Sequence, residues 1–393
     1  MRGVNRKLVH RAPGRVEPPA YDVVALVLQG GGALGAYQAG VYEGLHEAGI
    51  RPTWLAGISI GALNTAVIAG SPESQRVDRL RELWETICAT PVKWPETSGL
   101  AEAALPFTMD LRPAHNAAAA MRALFQGQPG FFKPRFPPPY LSPFAGDAAT
   151  SFYDTAPLRD TLERLIDFDR LNSGEMRVSV GAVNVRSGNF TYFDTSERRL
   201  GPEHFMASGA LPPGFPAIEI DGEHYWDGGV VSNTPLSYVL STEPRRDTLT
   251  FQVDLWSAKG RLPDDLMEVS SRQKDIQYSS RTRAITSHML QMQKMRQALQ
   301  TVMNKLPDAA KQDPEIQAVA DLACHRVYNI VHLIYQAKMF EGHSKDYEFG
   351  LDAMREHWQS GLDDIRRTLA DPRRLNRPAP EVGVVTHDVH RGV

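Results

Sequence analysis

Residues 53–64, TWLAGISIGALN, run from an apolar segment through Gly57-Ile58-Ser59-Ile60-Gly61 into a helix-compatible stretch, and their reading decides the fold. A G-x-S-x-G pattern between a strand and a helix predicts a nucleophile elbow with Ser59 at its apex. Gly57 and Gly61 suit so tight a turn because neither carries a Cβ toward the exposed hydroxyl. The helix that follows aims its free amides at developing negative charge. Acyl transfer by a serine is the chemistry this arrangement serves, although the pattern alone also arises in ordinary loops.

Residues 21–28 (YDVVALVL) form a β-branched, apolar run of the kind buried on both faces of a parallel sheet. The run ends in Gln29-Gly30-Gly31-Gly32-Ala33-Leu34-Gly35, and a helix-like pattern follows over 36–48. Successive glycines between strand and helix let main-chain amides converge on one point, which suits an oxyanion or a phosphate. Gly30, Gly32 and Gly35 also satisfy G-x-G-x-x-G. A dinucleotide site would need an acidic residue about 20 positions on, however, and here the second strand runs directly into Ser59. One strand and one helix precede the elbow, an order unlike that of the α/β-hydrolases. Glycine loop and elbow then lie side by side at the carboxyl ends of adjacent strands, where open α/β sheets place their sites.

A third motif, Asp227-Gly228-Gly229, follows a hairpin-like stretch at 217–226 (AIEIDGEHYW), in which Asp221-Gly222 is a two-residue turn signal. A glycine loop, a G-x-S-x-G serine and a D-G-G aspartate in this order resemble the patatin-like phospholipases. Ala207-Ser208-Gly209-Ala210-Leu211-Pro212-Pro213 resembles the small-residue and proline stretch that precedes the aspartate in bacterial members. The resemblance covers residues 21–255. It implies an α/β fold of three layers, α/β/α, with a mostly parallel central sheet, and a Ser-Asp dyad without histidine that requires neither metal nor organic cofactor. Carried over, Ser59 is the nucleophile, Asp227 its base, and the amides around Gly30, Gly31 and Gly32 the oxyanion hole. Gly57 and Gly61 shape the elbow, and Gly228 and Gly229 support the aspartate. Leu34 stands where many members carry Arg or Lys, so a cation is missing from the loop.

A carboxylate of ordinary pKa, about 3.9, is a poor base for a serine hydroxyl, so such a dyad requires Asp227 to be both close to Ser59 and dry. Each motif also has a purely structural reading: close packing for the glycines, a helix cap for Ser59, a local turn for Asp227. The joint order of the three is what favours catalysis.

The chain has 393 residues, more than one domain usually holds, and 42% of them are hydrophobic, enough for a substantial core. A formal charge of −3 and no basic stripe interleaved with aromatics leave no footprint for nucleic acid. Cys88 and Cys324 lie far apart without metal-ligand spacing, which fits a reducing compartment better than a disulfide framework or a zinc site. Residues 1–20 contain Arg2, Arg6, Lys7, Arg11 and Arg15 but no apolar h-region, and no run of 18 apolar residues occurs anywhere. The expected location is cytoplasmic, with peripheral membrane contact left open.

The expected division is a disordered basic tail at 1–20, an acyl hydrolase region at 21–260, a mainly helical C-terminal extension at 261–371 and a tail at 372–393. Within the hydrolase region, 90–151 is rich in Pro, Ala and Phe and reads as a cap over the acyl site, or equally as a packed insertion or partner surface. Residues 270–306 read as one long helix. Met289, Met292, Met295, Leu299, Val302, Met303 and Leu306 fall there at helical spacing, a stripe suited to core, to a homo-oligomer interface or to lipid. Residues 328–335 (YNIVHLIY) read as a strand and 345–367 as a polar helix, with the chain unstructured after Asp371. The stretch 341–349, together with His357-Trp358, resembles an uncharacterised extension on a subset of bacterial patatin-like proteins. His343, Asp346 and His357 lack a recognised metal-ligand spacing, which leaves capping and surface hydrogen bonds as their expected roles. His332 reads as a satisfied core histidine, and it is also the residue that could complete a triad.

The expected function is hydrolysis of carboxylic esters of lipids, of phospholipase A or lipid acyl hydrolase type, through an acyl-serine. Two alternatives stand beside it: a lipid-binding or assembly protein with weak turnover, motivated by Leu34 and the methionine stripe, and an esterase for short-chain or polymeric esters that uses His332.

Overall fold

The computed structural model describes residues 20–89, 112–141, 144, 146–320, 322–338 and 341–389. The basic tail at 1–19 and residues 90–111 of the insertion therefore lie outside the described residues. The strands are β1 (Val23–Leu28), β2 (Trp54–Gly57), β3 (Lys133–Pro134), β4 (Tyr153–Asp154), β5 (Arg177–Asn184), β6 (Phe190–Asp194), β7 (Ile218–Ile220), β8 (Glu223–Asp227), β9 (Thr248–Asp254), β10 (Tyr328–Ile334) and β11 (Val384–Asp388). All but β3 and β4 join a nine-stranded sheet in the order β11-β10-β9-β1-β2-β5-β8-β7, with β6 also paired to β5. Pairing is parallel from β11 through β5 and antiparallel where β5 meets β6 and β8 and where β7 meets β8. Strand β1 (VVALVL) reads as a continuous apolar run because both of its faces are covered, whereas β9 (TLTFQVD) is buried throughout but alternates polar and apolar residues.

Helices α1 (Ala36–Glu47), α2 (Ile60–Ala69), α3 (Arg76–Cys88), α4 (Arg112–Gln126), α5 (Ala156–Leu165), α6 (Pro202–Ser208), α7 (Leu236–Ser241), α8 (Leu266–Tyr278), α9 (Thr282–Lys305) and α10 (Leu351–Leu369) surround the sheet. One face packs into a large core shared with α1, α2, α3 and α10; Leu45, Leu63, Trp84 and Ile365 meet there. The opposite face is sealed by a smaller cluster in which Val239 and Leu240 of α7 and Met289 of α9 cover Val23, Ala25, Val27 and Ile330. The three layers are those of an α/β/α fold.

The register beside β5 places the site. Strand β2 is short and pairs only as far as Gly57 opposite Val180, while β8 takes the same side of β5 from Ala182 onward, with Asp227 opposite Ala182. The ends of β2 and β8 therefore meet head to head across Gly181. Ser59 leaves one end and Asp227 closes the other.

Two elements differ from the sequence reading. The long helix expected at 270–306 is broken at 279–281, where Ser280 donates to Asp254 and Gln252 Nε2 donates to Thr282 Oγ1 at 2.6 Å, drawing the chain onto the sheet. Side-chain bonds to buried strand ends outweigh helical propensity there. The chain expected to be unstructured after Asp371 carries β11, which pairs along β10 from Tyr328–Val384 to His332–Asp388. A five-residue strand after a Pro- and Gly-containing run has little local signature, and its pairing with β10 decides it. The C-terminal region is thus mainly helical but also extends the central sheet by two strands.

Candidate active site

Ser59 has φ 55° and ψ −125°, a left-handed conformation that L-residues avoid and that a nucleophile elbow imposes. Its hydroxyl caps no amide of α2, so the helix-cap alternative does not describe it. The turn closes because Gly61 lies against β1: a Cβ there would sit 2.4 Å from the Leu28 carbonyl oxygen, and one on Gly57 would sit 2.5 Å from the Gly61 carbonyl oxygen. The Ser59 amide donates to Ser208 Oγ at 3.0 Å, and Ser208 Oγ donates to the Gly181 carbonyl at 2.7 Å. Ser208 thus stitches the elbow to the seam between β2 and β8. Sequence reasoning placed Ser208 in a small-residue stretch and gave it no role, since the bond spans distant segments.

Asp227 is 2% exposed, accepts from the Gly229 amide at 2.7 Å and lies beside the Ser59 hydroxyl, whose proximity works to lower its pKa. Burial pushes its carboxyl up to about 7, against the lowering effect of those two donors. The local turn anticipated as a structural role is present, and the serine contact coexists with it. Gly228 is packed under this turn, where a Cβ would meet the Gly181 carbonyl oxygen at 2.7 Å.

The glycine loop faces the same point. Gly30, Gly31 and Gly32 all line the cavity that holds Ser59 and Asp227, but their amides are not equivalent. The Gly30 amide, expected among the oxyanion donors, already donates to the Asn233 carbonyl at 3.2 Å. The amides of Gly31 and Gly32 make no main-chain hydrogen bond among the described residues. The loop is held from three sides. Asn233 Nδ2 and Trp256 Nε1 donate to the Gly30 carbonyl at 2.9 and 2.8 Å, and the Ala33 amide donates to the Asp346 carbonyl at 2.8 Å. Gln29, just before the glycines, accepts from the amides of Leu255 and Trp256 and donates to the Tyr278 carbonyl. Gly32 has φ +55°, and any Cβ would lie 2.0 Å from the Asp346 carbonyl oxygen, so this position admits only glycine.

The cavity is about 300 Å³. Its wall is aromatic: Phe131 and Phe132 from the insertion, Phe215, and Tyr278, Tyr347 and Phe349 from the C-terminal region. Phe131 and Phe132 each lie with ring centroids within 5.2–6.4 Å of Phe215 and Phe349. No lysine or arginine lines this cavity among the described residues, and Leu34 is buried in the core. Such a lining accepts an apolar chain.

His332 lies elsewhere. On β10 its Nε2 contacts Asp254 Oδ2 at 2.6 Å and Gln252 Nε2 at 3.4 Å, and it does not line the cavity. His343, Asp346 and His357 do not converge either. Asp346 pairs with Lys274 at 2.8 Å, His357 pairs with Glu341 at 3.0 Å, and the His343 carbonyl accepts from Lys274. Cys88 and Cys324 are free and buried. No described helix is long and apolar enough to cross a membrane.

A family model described as patatin-like phospholipase matches residues 26–240, and another described as patatin phospholipase matches residues 276–381. No curated protein sequence matches the chain. Among solved structures, VipD from Legionella pneumophila is 14% identical with a TM-score of 0.34, over 86% of this chain and 67% of that one. The heterodimeric ExoU–SpcU complex of the type III secretion system of Pseudomonas aeruginosa gives 17% identity and a TM-score of 0.26, over 77% of this chain and 59% of that one.

Proposed function

The chain belongs to the patatin-like phospholipase family and is on that ground an ester-hydrolysing enzyme of lipid substrates; we propose that it works through a dyad of Ser59 and Asp227 and an acyl-serine intermediate. The observation that carries this reading is the buried Asp227 carboxyl, pushed up to about 7 and set beside the hydroxyl of a strained elbow serine in an apolar cavity.

Asp227 takes the Ser59 proton as the hydroxyl oxygen attacks the ester carbonyl. The carbonyl oxygen becomes an oxyanion facing the amides of Gly31 and Gly32, with the N-terminus of α2 adding its dipole. One such donor is worth about 2.7–4 kcal/mol in related oxyanion holes. Collapse expels the alcohol, which receives the proton from Asp227. Water then attacks the acyl-serine with Asp227 again as base, releasing the fatty acid and restoring the hydroxyl. The aromatic wall holds the acyl chain, and the lack of a lining cation among the described residues favours selection by chain over selection by phosphate.

Hydrolysis of nitrophenyl esters of graded chain length tests the reading. Ser59→Ala and Asp227→Asn each lose about a thousandfold or more in turnover. His332→Ala keeps it in the folded fraction, since that ring pairs with Asp254 outside the cavity. Turnover by Ser59→Ala at the wild-type rate would sink the dyad.

A further inference from the structure

Every exposed phenylalanine and tyrosine among the described residues belongs to one segment. Phe125, Phe136, Tyr140 and Phe144 are 74%, 96%, 80% and 98% exposed, and Leu141 beside them is 75% exposed. The other described phenylalanines and tyrosines are buried or half-buried. Aromatics this bare on a chain able to bury the rest mark an interaction surface.

The segment borders the cavity. Leu124 and Leu211 line it and remain 39% and 37% exposed, so they stand at its mouth. Tyr153, also in the lining, donates from its hydroxyl to the Leu124 carbonyl at 2.9 Å. The neighbouring Phe152 carries the exposed loop: the Arg135 amide donates to its carbonyl at 3.0 Å, and the Tyr140 ring lies 5.7 Å from its own. Charge points the same way. Residues 117–146 contain Arg122, Lys133 and Arg135 and no carboxylate, in a chain where acids outnumber bases, and of the three Lys133 pairs with Asp154 at 3.2 Å. In the methionine stripe of α9, Met289 packs into the core and Gln293 is buried against the Cys324 and Arg326 carbonyls; Met295 and Val302 are 66% and 54% exposed but carry no aromatic ring and do not line the cavity.

We propose that this face, bearing Leu124, Phe125, Phe136, Tyr140, Leu141 and Phe144, docks on an anionic lipid bilayer and sets the cavity mouth against it, so that an acyl chain passes from bilayer to wall without crossing water. The proposal rests on the acyl hydrolase reading above. Apolar side chains enter the acyl boundary, while the local cations meet anionic headgroups.

The test compares the full chain with a Phe136→Ser/Leu141→Ser/Phe144→Ser variant, whose changed side chains lie outside the cavity lining. Two readouts are needed: cosedimentation with phosphatidylcholine vesicles with and without phosphatidylglycerol, in a Ser59→Ala background, and hydrolysis of vesicle lipid against a soluble short-chain ester. The expected result is vesicle binding strengthened by phosphatidylglycerol, and in the variant a loss of about tenfold or more in binding and vesicle hydrolysis with soluble-ester turnover within about twofold of the parent. Unchanged vesicle binding in the variant overturns the proposal, as does equal loss on both substrates. Conversion of a dimer to a monomer with vesicle binding intact also overturns it and assigns the face to a second copy of the chain. If the parent hydrolyses neither ester, the hydrolase reading fails while sedimentation still decides the docking.

Discussion

The main-chain carbonyl of Asp346 accepts the Ala33 amide at 2.8 Å, and the carboxylate of the same residue is gripped by Lys274 Nζ at 2.8 and 2.9 Å. The glycine loop that faces Ser59 is therefore fastened by a residue of the second matched stretch, 276–381, and that residue is in turn fastened by α8. Lys274→Met should loosen the loop while leaving the cavity wall in place. The expected effect is a fall of about tenfold in kcat with KM little changed, largely restored in Lys274→Arg, because donors that stabilise only the transition state act on kcat. Equal kcat in Lys274→Met and wild type would detach Asp346 from the loop's function.

The Asp227 carboxyl at about 7 fixes a pH dependence. In the proposed dyad the base must be ionised in the free enzyme, so kcat/KM should fall about tenfold per pH unit below that value and level off above it. A profile flat from pH 5 to 9 would mean that another group takes the serine proton.

The raised carboxyl has a stability consequence of opposite sense. An unfolded aspartate titrates near 3.9. Between there and about 7 the native state holds the extra proton, so wild-type stability drops as pH rises through this window and stays lower above it. Asp227→Asn carries no buried charge. It should unfold at a higher temperature than wild type at pH 8, by the equivalent of about 1–3 kcal/mol, since each tenfold change in proton affinity is worth about 1.4 kcal/mol, with the advantage gone near pH 4. Thermal unfolding of both proteins across pH gives the comparison, and a constant difference would refute it.

Ser208→Ala removes one hydroxyl and leaves two main-chain groups, the Ser59 amide and the Gly181 carbonyl, without their partner. Buried groups orphaned in this way cost about 1–3 kcal/mol. Turnover should fall further than stability alone explains, because Ser208 holds the strained elbow that aims the Ser59 hydroxyl. Ser208→Thr, which keeps the hydroxyl, should recover part of both losses in chemical denaturation and ester assays.

What could be read from the sequence was whatever a local pattern determines. The elbow glycines, the strand ahead of Gly30 and the hairpin into Asp227 all follow from contiguous residues, and all three form where the spacing places them. What could not be read depends on partners far along the chain. Gly30 has the same glycine signature as its neighbours, yet its amide is occupied because Asn233 lies beside it in space. Residues 279–281 sit inside a helical pattern and break it to reach Asp254. Strand β11 exists through β10, and the aromatic wall gathers Phe131, Phe215, Tyr278 and Phe349 from four separated stretches of the chain.

A ribosome making this chain releases Ser59 and Asp227 well before it releases Asp346 and Phe349. Until those late residues emerge, the growing polypeptide has Ser59 and Asp227 but neither the fastening of Ala33 nor the Phe349 side of the cavity, and β9 waits for β10 along one edge. Domains fold from the N-terminal side during synthesis, so the early half reaches the cell first. A chain stopped before Asp346 would therefore hold Ser59 and Asp227 without the contact that pins Ala33 and without the Phe349 side of the cavity.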